Sequence, residues 1–185
     1  MHDGFRDPAQ GEPRKRLTRM RYNAGPMAFL SDQIMKEMHR AGYPAVEHSL
    51  FRSPAAQLAA FQRQNSRAGP YNSAHQYWCA ADVIHERWAW FAKKDHLGRA
   101  TGAPDGQAFW DRLWDCVGLV SEKYSVEFSK RLTWDPAHVE LANWRDFKTI
   151  IGRKEPSQLQ LNDFFFLTLP KVWKAHLASA AKRDK

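Results

Sequence analysis

Apolar side chains divide this chain into segments of different period. Between Met27 and Arg40, Phe29 or Leu30, Ile34 and Met38 recur at helical spacing, and Gly42 stands where a helix C-cap belongs. Residues 45–51 read as a strand that delivers Arg52. Pro54 opens a second helix through about Asn65, with Leu58 and Phe61 expected inward. Residues 107–124 carry the clearest helical stripe: Phe109, Leu113, Cys116, Val117 and Val120, widened by Trp110 and Trp114. In residues 125–132, Val126 and Phe128 alternate with charged residues, which predicts a strand. Arg67, Gly69 and Pro70 mark one loop; Gly98, Gly102, Pro104 and Gly106 mark another. The aromatic-rich residues 83–91 suit strand, loop or early helix. The mixture predicts an α+β fold.

The two ends differ from this middle. Residues 1–25 are polar and basic, with Arg6, Arg14, Lys15, Arg16, Arg19 and Arg21, and a flexible lead is expected there. Residues 26–150 are expected to form the main domain. Residues 151–185 form an extension with a loop or short helix over 156–163, an apolar run over 164–170 and a basic helix over 172–182. Three consecutive Phe in that run favour packing on the domain over exposure.

Composition narrows the class. The chain has 185 residues, enough for one domain with a real core. Two cysteines give neither a disulfide framework nor a zinc knuckle, and Cys79 is expected to be a small buried thiol. The start, Met1-His2-Asp3-Gly4-Phe5, lacks an apolar signal core, and no run of apolar residues is long enough to span a membrane. Synthesis in the cytoplasm, without a signal peptide, is therefore expected. The net charge of +8 favours anionic partners: nucleic acid, teichoic-acid-bearing wall or an anionic membrane surface.

The candidate chemistry lies in two stretches, residues 73–82 and 134–140. Together they offer His75, Asp82, Asp135, His138 and Glu140. A zinc ion with ligands at about 2.0–2.2 Å needs its ligand atoms within roughly 3–3.5 Å of each other. A straight helix would separate residues 75 and 82 by about 10 Å along its axis. A straight strand would point them to opposite faces. The chain must therefore bend between them, most simply as a loop feeding a short strand that ends near Asp82. In an extended segment His138 and Glu140 share a face, so Glu140 is placed to orient His138. Pro136 stiffens the turn that carries Asp135. His48 belongs to no metal spacing, and His85-Glu86 lacks the second histidine of a helical zinc motif because position 89 is Ala89.

His75-x-x-x-x-Ala80-x-Asp82, preceded by Ser73-x and followed by Asp135-x-x-His138-x-Glu140, resembles the zinc D-Ala-D-Ala carboxypeptidases and L-Ala-D-Glu endopeptidases that cut bacterial cell-wall peptide stems. Phe51-Arg52-Ser53, with Gln57 beyond, is similar to that family's Arg-Ser stretch. The resemblance covers roughly residues 30–145. It implies a Hedgehog/DD-peptidase-like fold, a small antiparallel sheet flanked by helices. It implies Zn2+ held by His75, Asp82 and His138, with Asp135 as general base. It further implies Arg52 as a substrate or transition-state contact, and Gln57 and Ser73 as substrate-binding residues. Peptidoglycan becomes the expected partner, and a phage-type endolysin, delivered by lysis or within a virion, the expected setting. Two features depart from the pattern: Trp78 stands where the family usually has glycine, which predicts a less tight bend, and 130–134 lacks the usual tryptophan-glycine run.

Other chemistry is open to these residues. Two His and a carboxylate also suit non-haem iron oxygenases, which commonly space His and carboxylate two apart rather than seven. A basic virion or nucleic-acid-binding protein with a structural metal site would explain the charge and aromatics, but leaves Asp135 and Arg52 unused.

Overall fold

The computed structural model describes residues 26–94 and 97–146. Within them the fold is α+β: a three-stranded, open antiparallel sheet with helices against it. The order is helix α1 (Pro26–Arg40), strand β1 (Ala45–Ser49), helix α2 (Pro54–Gln62), a 3-10 turn (Ala74–Tyr77), strand β2 (Ala80–His85), helix α3 (Gln107–Tyr124) and strand β3 (His138–Glu140).

Helix α1 buries Met27, Leu30, Ile34 and Met38 on one stripe, packed against α3, β1 and β2. It ends in a Schellman closure: Tyr43 N–H donates to the Met38 carbonyl, Gly42 N–H to that of His39, and Gly42 sits at φ +81°. Helix α3 has the bounds its pattern predicts and buries Phe109, Trp110, Leu113, Cys116, Val117 and Val120. These stripes and the sheet form one core, to which Ala80, Ala81, Val83, Ile84, Val139 and Leu141 contribute. Truncating Leu113, fully buried here, to Ala would cost about 2–5 kcal/mol.

The sheet order is β1-β2-β3, both pairs antiparallel. In β2–β3, Ala80 faces Glu140, Ala81 faces Val139 and Asp82 faces His138. In β1–β2 the register shifts between Glu47 and Ser49, so Ser49 meets Asp82. Such a bulge bends a strand and re-aims the residues after it, here the segment carrying Arg52.

Several expectations are corrected. Strand β1 stops at Ser49, short of the expected 51, and β2 runs past Asp82 to His85. Only a single bridge, Phe128 to Leu141, stands where residues 125–132 were expected to form a strand, because the chain leaves β3 after Ser129 N–H bonds the Glu140 carbonyl. Helix α2 ends at Gln62 and turns its other side inward: Leu58 and Phe61 are 42% and 46% exposed, while Gln57 is fully buried. The cause is that α2 has no polar face to solvate, so the rotation is set by Gln57, whose amide finds its partners only inside. The expectations for 1–25 and 151–185 lie outside the described residues, in which no helix is long and apolar enough to cross a membrane.

Candidate metal centre

Each chemical residue reaches one place by a different local device. His75 lies in the 3-10 turn, at 2% exposure. The turn closes as the end of α1 does: Cys79 N–H donates to the Ala74 carbonyl, and Trp78 N–H approaches that of His75. The residue at the left-handed position is Trp78, at φ +57° and ψ +30°. The expected slack is therefore absent; the bend is tight, with a tryptophan in a glycine's conformation. The reversal sends the chain straight into β2, and two residues into that strand Asp82 faces back toward His75. His138 opens β3 directly across from Asp82, so both side chains stand on one face of the sheet.

The atoms converge. Asp82 Oδ1 lies 3.2 Å from His75 Nε2 and 3.1 Å from His138 Nδ1. All three atoms fall within 4.8 Å of one another. Ligand atoms on a tetrahedral zinc at about 2.0–2.1 Å are about 3.3–3.4 Å apart, so the set needs only small adjustment to close on an ion.

The far nitrogens are held as well. His75 Nδ1 lies 3.2 Å from the Leu50 carbonyl oxygen. A carbonyl only accepts, so Nδ1 carries the hydrogen and the lone pair is on Nε2, toward Asp82. His138 Nε2 lies 3.1 Å from Glu140 Oε2. Donation there leaves the Nδ1 lone pair toward Asp82 as well. Glu140 is held by Ser129 Oγ–H at 3.1 Å and Trp144 Nε1–H at 3.3 Å. Two imidazole lone pairs and a carboxylate oxygen thus aim at one point. Such a cluster can hold a metal ion, and in its absence a proton must fill the gap.

The electrostatics agree. Burial alone would raise the Asp82 carboxyl, but His75 and His138 outweigh it and hold it well below the usual carboxylate range. Burial would lower His138; hydrogen bonds to Asp82 and Glu140 instead push it up to about 9. Glu140 is lowered, its burial outweighed by the bond to His138.

Around the cluster stand the other predicted residues. Arg52 Nη2 is 3.6 Å from Asp82 Oδ2, on the side away from the imidazoles. Its Nη1 donates to Gln57 Oε1 at 3.0 Å, and its backbone N–H to the His75 carbonyl at 3.3 Å. Gln57 also donates to Ser66 Oγ and the Ala68 carbonyl. Gln57, expected to bind substrate, has no exposed surface here and holds Arg52 through its amide oxygen. Ser73 is buried at the start of the turn, where its carbonyl accepts from Gln76 N–H and its hydroxyl makes no capping bond. Asp135 is half-buried in the turn before β3. Burial, then the Asp82 charge, raise its carboxyl, while His138, His75 and Arg52 pull it down, so it borders the cluster. The carbonyl of Pro136, the next residue, accepts from Trp114 Nε1–H at 2.9 Å, which ties this turn to α3.

The remaining candidates stay apart. Cys79 is buried with Sγ–H on the Tyr77 carbonyl, and burial pushes its thiol up. His48 packs edge-on to Trp90. His85 Nδ1 accepts from the backbone N–H groups of Arg87 and Trp88. The Leu50 carbonyl, Ser129, Trp114 and Trp144 were not foreseen; only their contacts in space reveal them. Compared with models of protein families and with curated proteins, the chain matches none.

Proposed function

We propose that this chain is a zinc-dependent peptidoglycan peptidase of Hedgehog/DD-peptidase-like fold, hydrolysing an amide bond in the cell-wall peptide stem. The observation that carries the reading is the convergence of His75 Nε2, His138 Nδ1 and Asp82 Oδ1, with each imidazole's other nitrogen already occupied by an acceptor. Structural zinc sites usually take four protein ligands, whereas three protein ligands are the catalytic pattern. Here the described residues offer three.

His75, Asp82 and His138 would hold the ion. Zinc bound there would polarise the scissile carbonyl and lower the pKa of water. Asp135, at the rim and raised by burial and by Asp82, takes the proton of the attacking water and passes it to the leaving amine. Arg52, fixed by Gln57, supplies positive charge for the carbonyl oxygen or a substrate carboxylate. The charge of +8 favours an anionic wall over neutral substrates. In this reading the protein meets the wall after lysis or as part of a virion.

The test is release of amino groups from purified peptidoglycan, with chelator and then with added zinc. Chelator-sensitive release restored by zinc is expected, and mass spectrometry of the fragments names the bond. Stoichiometric zinc without release would overturn the enzyme and leave a structural metal site.

A further inference from the structure

Arg67 and Trp134 lie far apart in the chain and meet in space. The Arg67 guanidinium sits over the Trp134 indole, 4.4 Å from the ring centroid. Among the described residues the other cation–ring pairs are of a different kind. Arg87 on Trp88, Lys123 on Tyr124 and Arg145 on Trp144 join adjacent residues, and Arg112 over Tyr43 is longer, at 5.9 Å. Arg67 is exposed and Trp134 is 48% exposed, so the pair is no by-product of core packing.

The contact joins two arms of the site. Arg67 lies between Ser66 and Ala68, and Gln57 Nε2 donates to Ser66 Oγ at 2.9 Å and to the Ala68 carbonyl at 2.6 Å. Gln57 Oε1 in turn holds Arg52, whose guanidinium faces Asp82. Trp134 directly precedes Asp135. The turn that carries Asp135 is closed by two long backbone bonds, Asp135 N–H to the Leu132 carbonyl and His138 N–H to the Asp135 carbonyl, both 3.3 Å. Those lengths lie beyond the usual range of about 2.7–3.2 Å, so the turn depends on ties from its side chains and neighbours. One tie runs to α3, from the Pro136 carbonyl to Trp114 Nε1–H. The other is Trp134 under Arg67, and it reaches the loop that holds Gln57.

We propose that Arg67 and Trp134 form a clasp that positions Asp135 against the His75–Asp82–His138 cluster, joining the arm that holds Arg52 to the arm that carries the general base. This rests on the peptidase reading above. Both are positioning residues and act through Asp135. An exposed cation–ring contact shifts an equilibrium by about two- to fivefold, enough to bias a turn and too little to hold a fold.

The experiment uses the full, zinc-loaded chain and a soluble disaccharide-peptide from peptidoglycan. Arg67→Ala and Trp134→Leu are each expected to lower kcat about three- to fivefold, with KM, zinc content and Tm at the parent values. The double variant should lose no more than either single one, because the second substitution removes a contact already broken. Arg67→Lys, which keeps a cation for the ring, should return kcat to near the parent value. Arg87→Ala, which breaks a pair outside the two arms, should leave kcat unchanged. Parent-level kcat in Arg67→Ala, or losses that multiply in the double variant, overturn the clasp. A raised KM with kcat intact overturns it too and makes Arg67 a substrate contact. A fall of zinc content or Tm alongside kcat leaves the pair as a brace of the fold. If the parent itself does not cleave the disaccharide-peptide, the peptidase reading fails and this inference with it.

Discussion

Asp82 divides its two oxygens between unlike partners: Oδ1 meets both imidazoles and Oδ2 meets Arg52. In the metal-free protein His138 keeps its proton up to about pH 9. Its folded pKa lies above the unfolded value, so its stabilising effect is complete below about pH 6.5 and is lost as pH rises through about 9. Thermal melts with chelator should accordingly show Tm falling over that window, and excess zinc should reverse the trend. A chelated chain whose Tm holds steady across it would contradict this protonation. The carboxyl rim gives a second expectation: Asp135→Asn should retain zinc yet lose about 10²–10⁴-fold in amide hydrolysis, read by metal analysis beside kinetics. Part of this layer was legible beforehand. His138 and Glu140 share a face because strand side chains alternate, and that is written in their spacing. The acceptor for His75 was not, because it is a main-chain carbonyl, that of Leu50, which no residue type announces.

Among the elements, α3 was the easiest to foresee, since its apolar stripe keeps one period over eighteen residues. Helix α2 was the hardest. Its nine residues are apolar on every side except at Gln57 and Gln62, so periodicity could not pick the inner face, and hydrogen bonding picked it instead. This has a measurable consequence. Phe61→Ser should change stability by no more than about 0.5 kcal/mol, as expected of a surface position. Gln57→Ala should cost about 1–3 kcal/mol by leaving the Ala68 carbonyl and Ser66 with lost partners, and should lower activity by freeing Arg52. Chemical denaturation of the two variants separates them; equal losses would mean that α2 is rotated otherwise. The segment after α3 misled for a related reason: its alternation is real, but only one bridge to Leu141 forms before the chain turns toward Asp135.

For the molecule as a whole, the His75–Asp82–His138 cluster and the hydrophobic core are neighbours built from the same strands. Ala81 and Val83 lie in the core on either side of Asp82, and Val139 does so beside His138. An ion bound here therefore ties two strands and the preceding bend together, and binding only the folded state raises Tm by mass action. Zinc at about a hundred times its dissociation constant should add about 2.7 kcal/mol, visible as a concentration-dependent Tm. Absence of any shift with zinc would argue against the site.

Because Asp82 and His138 are partners across one rung of the ladder, their meeting depends on strand alignment. Slipping β2 against β3 by one residue would send one of the two to the opposite face. A single insertion inside either strand would displace one of the pair, and the turn that carries His75 must keep its length up to Ala80 for His75 to reach Asp82. Inheritance of such a centre is thus a matter of counting within very short windows.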